Sequence, residues 1–263
     1  MKSPRFSAAV LCGLIVLARL DAQAPAPAVT PAGPAPLPVP ELTEQWWPVP
    51  PVVQAPAGAP PSDAVVLFDG KSLDAWESVK KPGTPAEWTV ADGAVTVKRE
   101  TGDIRTKAGF GDVQLHLEFR APAEVKGRGQ GRGNSGIFFM ERYELQVLDS
   151  YQNKTYVNGQ LGSVYKQHPP LANPARPPGE WQVYDAVFTA PRFNADGSLQ
   201  SPARLTAFLN GVLVQNHTEL RGPTEYRGPP SYKAHPARLP LRLQDHGDLV
   251  SFRNIWVREL ASP

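Results

Sequence analysis

Cysteine is almost absent. Of 263 residues one is cysteine, Cys12, inside an apolar run at residues 8–17 that follows Lys2 and Arg5. The run is too short to span a bilayer and has the length of a signal-peptide core, so residues 1–24 read as a secretory signal. Ala22-Gln23-Ala24 supplies the small-x-small cleavage site, and lipid attachment at Cys12 is the alternative fate of the segment. The expected localisation is secreted or periplasmic. Without the signal no cysteine remains, which excludes a thiol nucleophile, a cysteine-ligated zinc site and any disulfide.

An excess of one charge is also missing. The formal net charge is +2, and without Lys2, Arg5, Arg19 and Asp21 the chain holds 24 basic and 24 acidic residues. That balance argues against nucleic acid or an anionic membrane as the main partner. There is no Gly-x-x-x-x-Gly-Lys loop, no dinucleotide fingerprint after a strand, no His-Glu-x-x-His helix and no Gly-x-Ser-x-Gly elbow. The enzyme classes built on those motifs are excluded with them. No amphipathic helix of ordinary length is visible.

Proline is plentiful instead, and unevenly placed. Thirteen of the 30 prolines fall between Pro25 and Pro61 with alanine and valine between them, a composition that favours extended conformers over a core. Residues 25–62 therefore read as a Pro/Ala-rich arm. Within it Trp46-Trp47 is expected to pack on a protein surface and pin the arm, with sugar stacking or partner binding as the other reading.

From residue 63 to 261 the pattern changes to short alternating runs with turn signals between them. Asp92-Gly93, Asp196-Gly197 and Asn210-Gly211 are hairpin turns, because these pairs accept the positive φ that a tight turn requires. Strands are expected at 114–120, 137–140, 143–148, 183–189, 204–209, 212–215, 241–244 and 251–259. Many short strands with little helix predict an all-β fold, an antiparallel β-sandwich of the jelly-roll kind. Two long breaks, 151–179 and 220–240, interrupt the strands, and long structured loops usually carry function.

The stretch 127–151, GRGQGRGNSGIFFMERYELQVLDSY, organises the rest. Successive strand side chains point to opposite faces, so Glu144 and Gln146 share one face and Tyr143, Leu145 and Val147 the other. The same alternation puts Arg242, Gln244 and His246 on one face. If the two rows meet, they line a groove with carboxylate, amide, guanidinium and imidazole groups, the partners that sugar hydroxyls require. Glu144 and His246 are the candidates to move protons. Asn134, Gln146, Arg242 and Gln244 are the candidates to hold substrate, with Arg242 the weakest because a lone arginine commonly sits on a solvated face.

At these residues the sequence resembles a known family. LFDGKSLDAWES, GRGNSGIFFMERYELQVLDSY, GEWQVYDAVF, LNGVLVQNH and LRLQDHGDLVSFRNIWVREL resemble, in order and spacing, the bacterial 3-keto-disaccharide hydrolase family over about residues 63–260. The resemblance implies a concanavalin-A-like lectin/glucanase sandwich and cleavage of glycosides whose C3 hydroxyl has been oxidised to a ketone. It implies Glu144 or His246 as the base that removes the C2 proton and the other as the acid to the leaving oxygen, with Gln146, Gln244 and Asn134 on hydroxyls. Arg242 or a divalent cation would stabilise the enolate, and a sugar 3-dehydrogenase would supply the ketone. No dedicated metal-ligand cluster is visible, so no cofactor is assigned. The rival reading of the same groove is a non-catalytic, lectin-like carbohydrate-binding module.

Overall fold

The structure, a computed structural model, describes residues 43–260. The expected signal and the first part of the arm lie outside the described residues. Contacts divide the chain between Pro51 and Val52. Residues 43–51 carry neither helix nor strand, and their Trp46 and Trp47 are 83% and 82% exposed.

From Val52 onward the described residues form two antiparallel sheets and a small hairpin. The larger sheet runs, edge to edge, β13 (Val212–Glu219), β12 (Arg204–Leu209), β9 (Gln182–Thr189), β6 (Val113–Arg120), β15 (Ser251–Glu259), β4 (Ala94–Thr96) and β3 (Thr89–Ala91), and β1 (Val65–Phe68) also pairs with β15. The smaller sheet runs β2 (Trp76–Ser78), β5 (Ile104–Phe110), β14 (Leu239–Leu243), β7 (Ser135–Phe139) and β8 (Tyr143–Val147). β10 (Arg192–Phe193) and β11 (Leu199–Ser201) make the hairpin.

The turns form where the sequence permits a left-handed backbone. Asp92 and Gly93 have φ of 51° and 74°, and Asn210 and Gly211 have φ of 52° and 81°, the pattern of a two-residue turn that matches strand twist. Alternation sets the core. Along β6, Val113, Leu115, Leu117 and Phe119 are buried, while Gln114, His116, Glu118 and Arg120 face outward and are half-buried. Phe139 of β7 stacks on Phe188 of β9 with ring centroids 4.7 Å apart, and this contact joins the two sheets. Burying one such ring contributes about 1.5–3 kcal/mol. The expected β-sandwich is the fold.

In β8 every residue is buried, not only the core-facing ones. The two long breaks meet the free edge of β8. The first runs beside β8: Gln146 N–H donates to Ser163 O at 3.0 Å, and Tyr165 N–H donates to Glu144 O at 3.3 Å. From the second, Thr224 N–H donates to Arg142 O at 2.9 Å, and Thr224 Oγ1 accepts from Glu144 N–H at 3.1 Å. Tyr165, Thr224 and Tyr226 from these breaks also stand beside Glu144 and Gln146, so the polar face of β8 is walled in rather than open to water.

Candidate active site

The register of β14, β7 and β8 builds the floor. Arg242 stands opposite Phe138 and Phe138 opposite Glu144, so these three form one row across three strands. In the next row Gln146 stands opposite Gly136, and Gln244 N–H donates to Gly136 O at 3.1 Å. Directly opposed residues present their side chains on the same face. A glycine in the middle of the second row leaves a depression between the two glutamines.

All six residues singled out in the sequence, Asn134, Glu144, Gln146, Arg242, Gln244 and His246, line one cavity of about 260 Å³. The two rows meet across β7, which lies between β14 and β8. One detail differs from the sequence reading: β14 ends at Leu243, so Gln244 and His246 reach the cavity from the loop beyond. His246 is exposed.

Glu144 is the electrostatic centre. Its residue is 5% exposed, and among the described residues its carboxylate accepts no hydrogen bond. The ideal Cβ position on Gly136 lies 2.6 Å from Glu144 Oε1, so the carboxylate leans into the depression the glycine leaves. Burial favours the neutral acid and pushes the Glu144 carboxyl up to about 8; the Arg242 charge pulls it down and Asp103 pushes it further up. An acid that ionises close to neutral pH suits a group that must both take and return a proton.

Arg242 is not on a solvated face. Its guanidinium carbon stands 3.8 Å from the Phe138 ring centroid, Nη1 donates to Asp103 Oδ2 at 2.5 Å, and Nη2 donates to Glu141 O at 3.3 Å. Nε is buried without a protein partner. Arg242→Met should therefore move Glu144 to a higher titration midpoint, since it removes the one charge that favours ionisation and leaves Asp103 uncompensated. Carbon-13 NMR titration of the Glu144 carboxyl reads this directly, and a downward or absent shift would contradict the pairing.

The amides are fixed from below. Gln146, 1% exposed, donates from Nε2 to Gln130 Oε1 and to Gly159 O, both at 3.3 Å, and its Oε1 is buried without a protein partner. Asn134 donates from Nδ2 to Gln130 O at 2.7 Å, and its backbone N–H donates to Asp248 Oδ2 at 2.8 Å. The glycine-rich loop thus carries a held amide rather than a flexible mouth. Among the described residues no three His, Cys, Asp or Glu side chains gather to hold a metal. The cavity itself offers one carboxylate and one imidazole, short of a built cation site.

Phe138, Thr224, Tyr165 and Tyr226 also line the cavity and were not singled out in the sequence. Tyr165 and Tyr226 belong to the two long breaks, so the signal for them was the loop length and not a motif.

Residues 63–258 match the family described as the 3-keto-alpha-glucoside-1,2-lyase-like domain. A 3-keto-disaccharide hydrolase of Bacteroides thetaiotaomicron is 24% identical over an alignment 230 positions long that covers 74% of this chain and 78% of that protein. A "putative glycosyl hydrolase" of Parabacteroides distasonis, known by crystal structure, is 52% identical with a TM-score of 0.81, over 84% of this chain and 97% of that one. A second crystal structure of that description from the same organism is 22% identical with a TM-score of 0.55, over 75% of this chain and 94% of that one, and shares the fold. The family match spans most of the sequence and contains the whole cavity, and the chain belongs to the 3-keto-alpha-glucoside-1,2-lyase-like domain family.

Proposed function

We propose that this protein cleaves 3-keto-glycosides by elimination, with Glu144 as the base. The observation that carries the reading is that the cavity holds a single carboxylate, buried and ionising near 8. Ordinary glycoside hydrolysis generally sets two carboxylates about 5–9.5 Å apart across the scissile bond. A ketone at C3 removes that need, because it acidifies the hydrogen at C2 and lets one base begin the reaction.

Glu144 takes the C2 proton, and the C2–H electrons form the C2=C3 enolate with charge on the C3 oxygen. The enolate collapses back to the ketone, C1=C2 forms, and the C1–O bond breaks. The departing oxygen takes a proton from His246, which stands at the exposed side of the cavity. Water can then add across C1=C2, placing OH at C1 and H at C2. Arg242 supplies positive charge on the enolate side. Gln146 and Arg242 line the cavity and are the groups proposed to meet a sugar hydroxyl and the anionic oxygen. No step runs through a metal. The signal expected at residues 1–24 would place this chemistry outside the cytoplasm, downstream of an enzyme class that oxidises C3 of a glycoside.

The test is turnover of paired glycosides that differ only at C3. Methyl α-glucoside and trehalose, native and C3-oxidised, suit a family described by α-glucosides. Release of the leaving group from the keto forms alone is expected, and exchange of C2 deuterium into solvent marks the proton step. Equal cleavage of both forms would overturn elimination, and binding without turnover would favour the lectin-like module.

A further inference from the structure

A second cavity adjoins the first. It measures about 440 Å³ and shares Tyr165 and Tyr226 with the Glu144 cavity as common walls. The Glu144 cavity, about 260 Å³, lies below the range of about 300–1,000 Å³ typical of small-molecule sites, so it suits one reacting ring and little more. The two together fall inside that range.

The second cavity is built around tyrosine rings held in fixed positions. Tyr156 and Tyr165 join their hydroxyls at 2.8 Å. Lys166 Nζ donates to Tyr226 O at 2.7 Å and stands 4.3 Å from the Tyr226 ring centroid, so its charge is engaged in holding that ring. Glu225, also in the wall, carries the opposite formal charge to Lys166. The cavity therefore presents ring faces and little net charge.

Gly159 ties the two cavities together. An ideal Cβ there would fall 2.0 Å from Tyr156 Cε2 and 2.6 Å from Tyr156 Cζ, so the Tyr156 ring occupies the place of a side chain. The carbonyl of the same residue accepts from Nε2 of Gln146 at 3.3 Å, and Gln146 lines the Glu144 cavity. One backbone position thus seats the aromatic wall of one cavity and orients the substrate amide of the other.

We propose that the tyrosine cavity is the leaving-group subsite, taking a flat, uncharged ring joined through the C1 oxygen of the reacting sugar. This rests on the elimination reading of Glu144. In a 3-keto-disaccharide the second ring hangs from C1, so a ring held over Glu144 sends its leaving group into whatever adjoins. The C–H face of a second sugar and the π face of an aryl aglycone both match tyrosine rings.

Binding and turnover together test it. Dissociation constants are measured by calorimetry for native methyl α-glucoside, phenyl α-glucoside and trehalose, against the full chain and its Tyr156→Ala, Tyr156→Phe and Gly159→Ala variants. Kinetic constants are measured for the three C3-oxidised forms. The ligands with a second ring are expected to bind about tenfold more tightly than the methyl glycoside, and Tyr156→Ala to remove that advantage while the methyl compound is unaffected. Tyr156→Phe should keep it. Gly159→Ala, which displaces the ring without deleting it, should lose it, and stands in where Tyr156→Ala fails to fold. A gain for trehalose alone identifies a sugar subsite and a gain for the phenyl compound alone an aryl one; either supports the proposal. Equal binding of all three ligands, unmoved by the variants, overturns it. A second-ring advantage that depends on Tyr156, without turnover of any keto form, upholds the subsite and rejects the elimination reading.

Discussion

Glu144→Gln is expected to reduce turnover of a 3-keto-glycoside by about 10²–10⁴-fold, the usual contribution of a positioned base, and at the same time to stabilise the protein near pH 8. The two effects share one cause. The Glu144 carboxyl ionises near 8 in the fold against 4.5 for an ordinary glutamate. Below 4.5 both folded and unfolded chains hold the proton. Between 4.5 and 8 the unfolded chain releases it while the folded chain keeps it, so stability falls as pH rises through that window. At about 1.36 kcal/mol per pKa unit the full loss is on the order of 4–5 kcal/mol. Glutamine has no proton to lose, and the variant escapes the penalty. Urea unfolding of both proteins at pH 5 and pH 8 should show an advantage for Glu144→Gln that grows with pH. A variant with a tenth or more of wild-type turnover, or an advantage flat in pH, would remove Glu144 from the role of buried base.

Such a trade is usual for active sites, where function keeps groups that folding would discard. It also bears on how the site could be read from sequence. Alternation placed Glu144 and Gln146 on one face and the core residues on the other, as observed, because the period of two is a property of the extended backbone itself. Alternation could not say whether that face met water. One face of β8 is buried in the core, and the other is enclosed by residues of the loops at 151–179 and 220–240, whose bonds to Glu144 and Gln146 are long-range contacts that no local pattern records. The shifted acidity of Glu144 was illegible for the same reason.

The fold was legible where turns and alternation agreed. β12 and β15 lie where expected, and the Asp92-Gly93 and Asn210-Gly211 turns have the positive φ their residues allow. β5, Ile104–Phe110, was missed although it pairs with both β2 and β14. Its burial breaks alternation in the middle, at Lys107 and Ala108, and the register against β14 shifts between Pro240 and Arg242. Asp103, just before β5, went unseen with it, and so did the reason Arg242 is held at the cavity. Arginine alone in a strand pattern looks solvated; paired with Asp103 and laid on Phe138 it is part of the site. The tight turn between β7 and β8 was hidden too, because Met140 and Glu141 adopt φ of 52° and 58° without the glycine or asparagine that signals such turns.

Gly136→Ala is the other substitution with a large expected effect, and it tests the floor of the cavity rather than its chemistry. The backbone of Gly136 lies outside the left-handed region, so alanine costs nothing in φ; the conflict is spatial. The new methyl would stand 2.6 Å from Glu144 Oε1 and 2.8 Å from Phe138 Cε2, closer than atoms pack, and the carboxylate or the ring must move. Overpacking of this kind costs about 1–3 kcal/mol, and a reacting group misplaced by about 1 Å loses about a hundredfold in rate. The position is flanked by intact ladder bonds and the fold should survive, which circular dichroism and urea unfolding check. The decisive comparison is the double variant Gly136→Ala with Glu144→Asp. The shorter side chain draws the carboxylate away from residue 136, so part of the stability lost to the methyl should return, with a coupling of about 0.5–3 kcal/mol. Turnover should not return, because the aspartate oxygen no longer reaches the substrate carbon that Glu144 serves. Strict additivity of the two stability changes would mean that the carboxylate does not lean on Gly136, and that its burial and raised acidity need another origin.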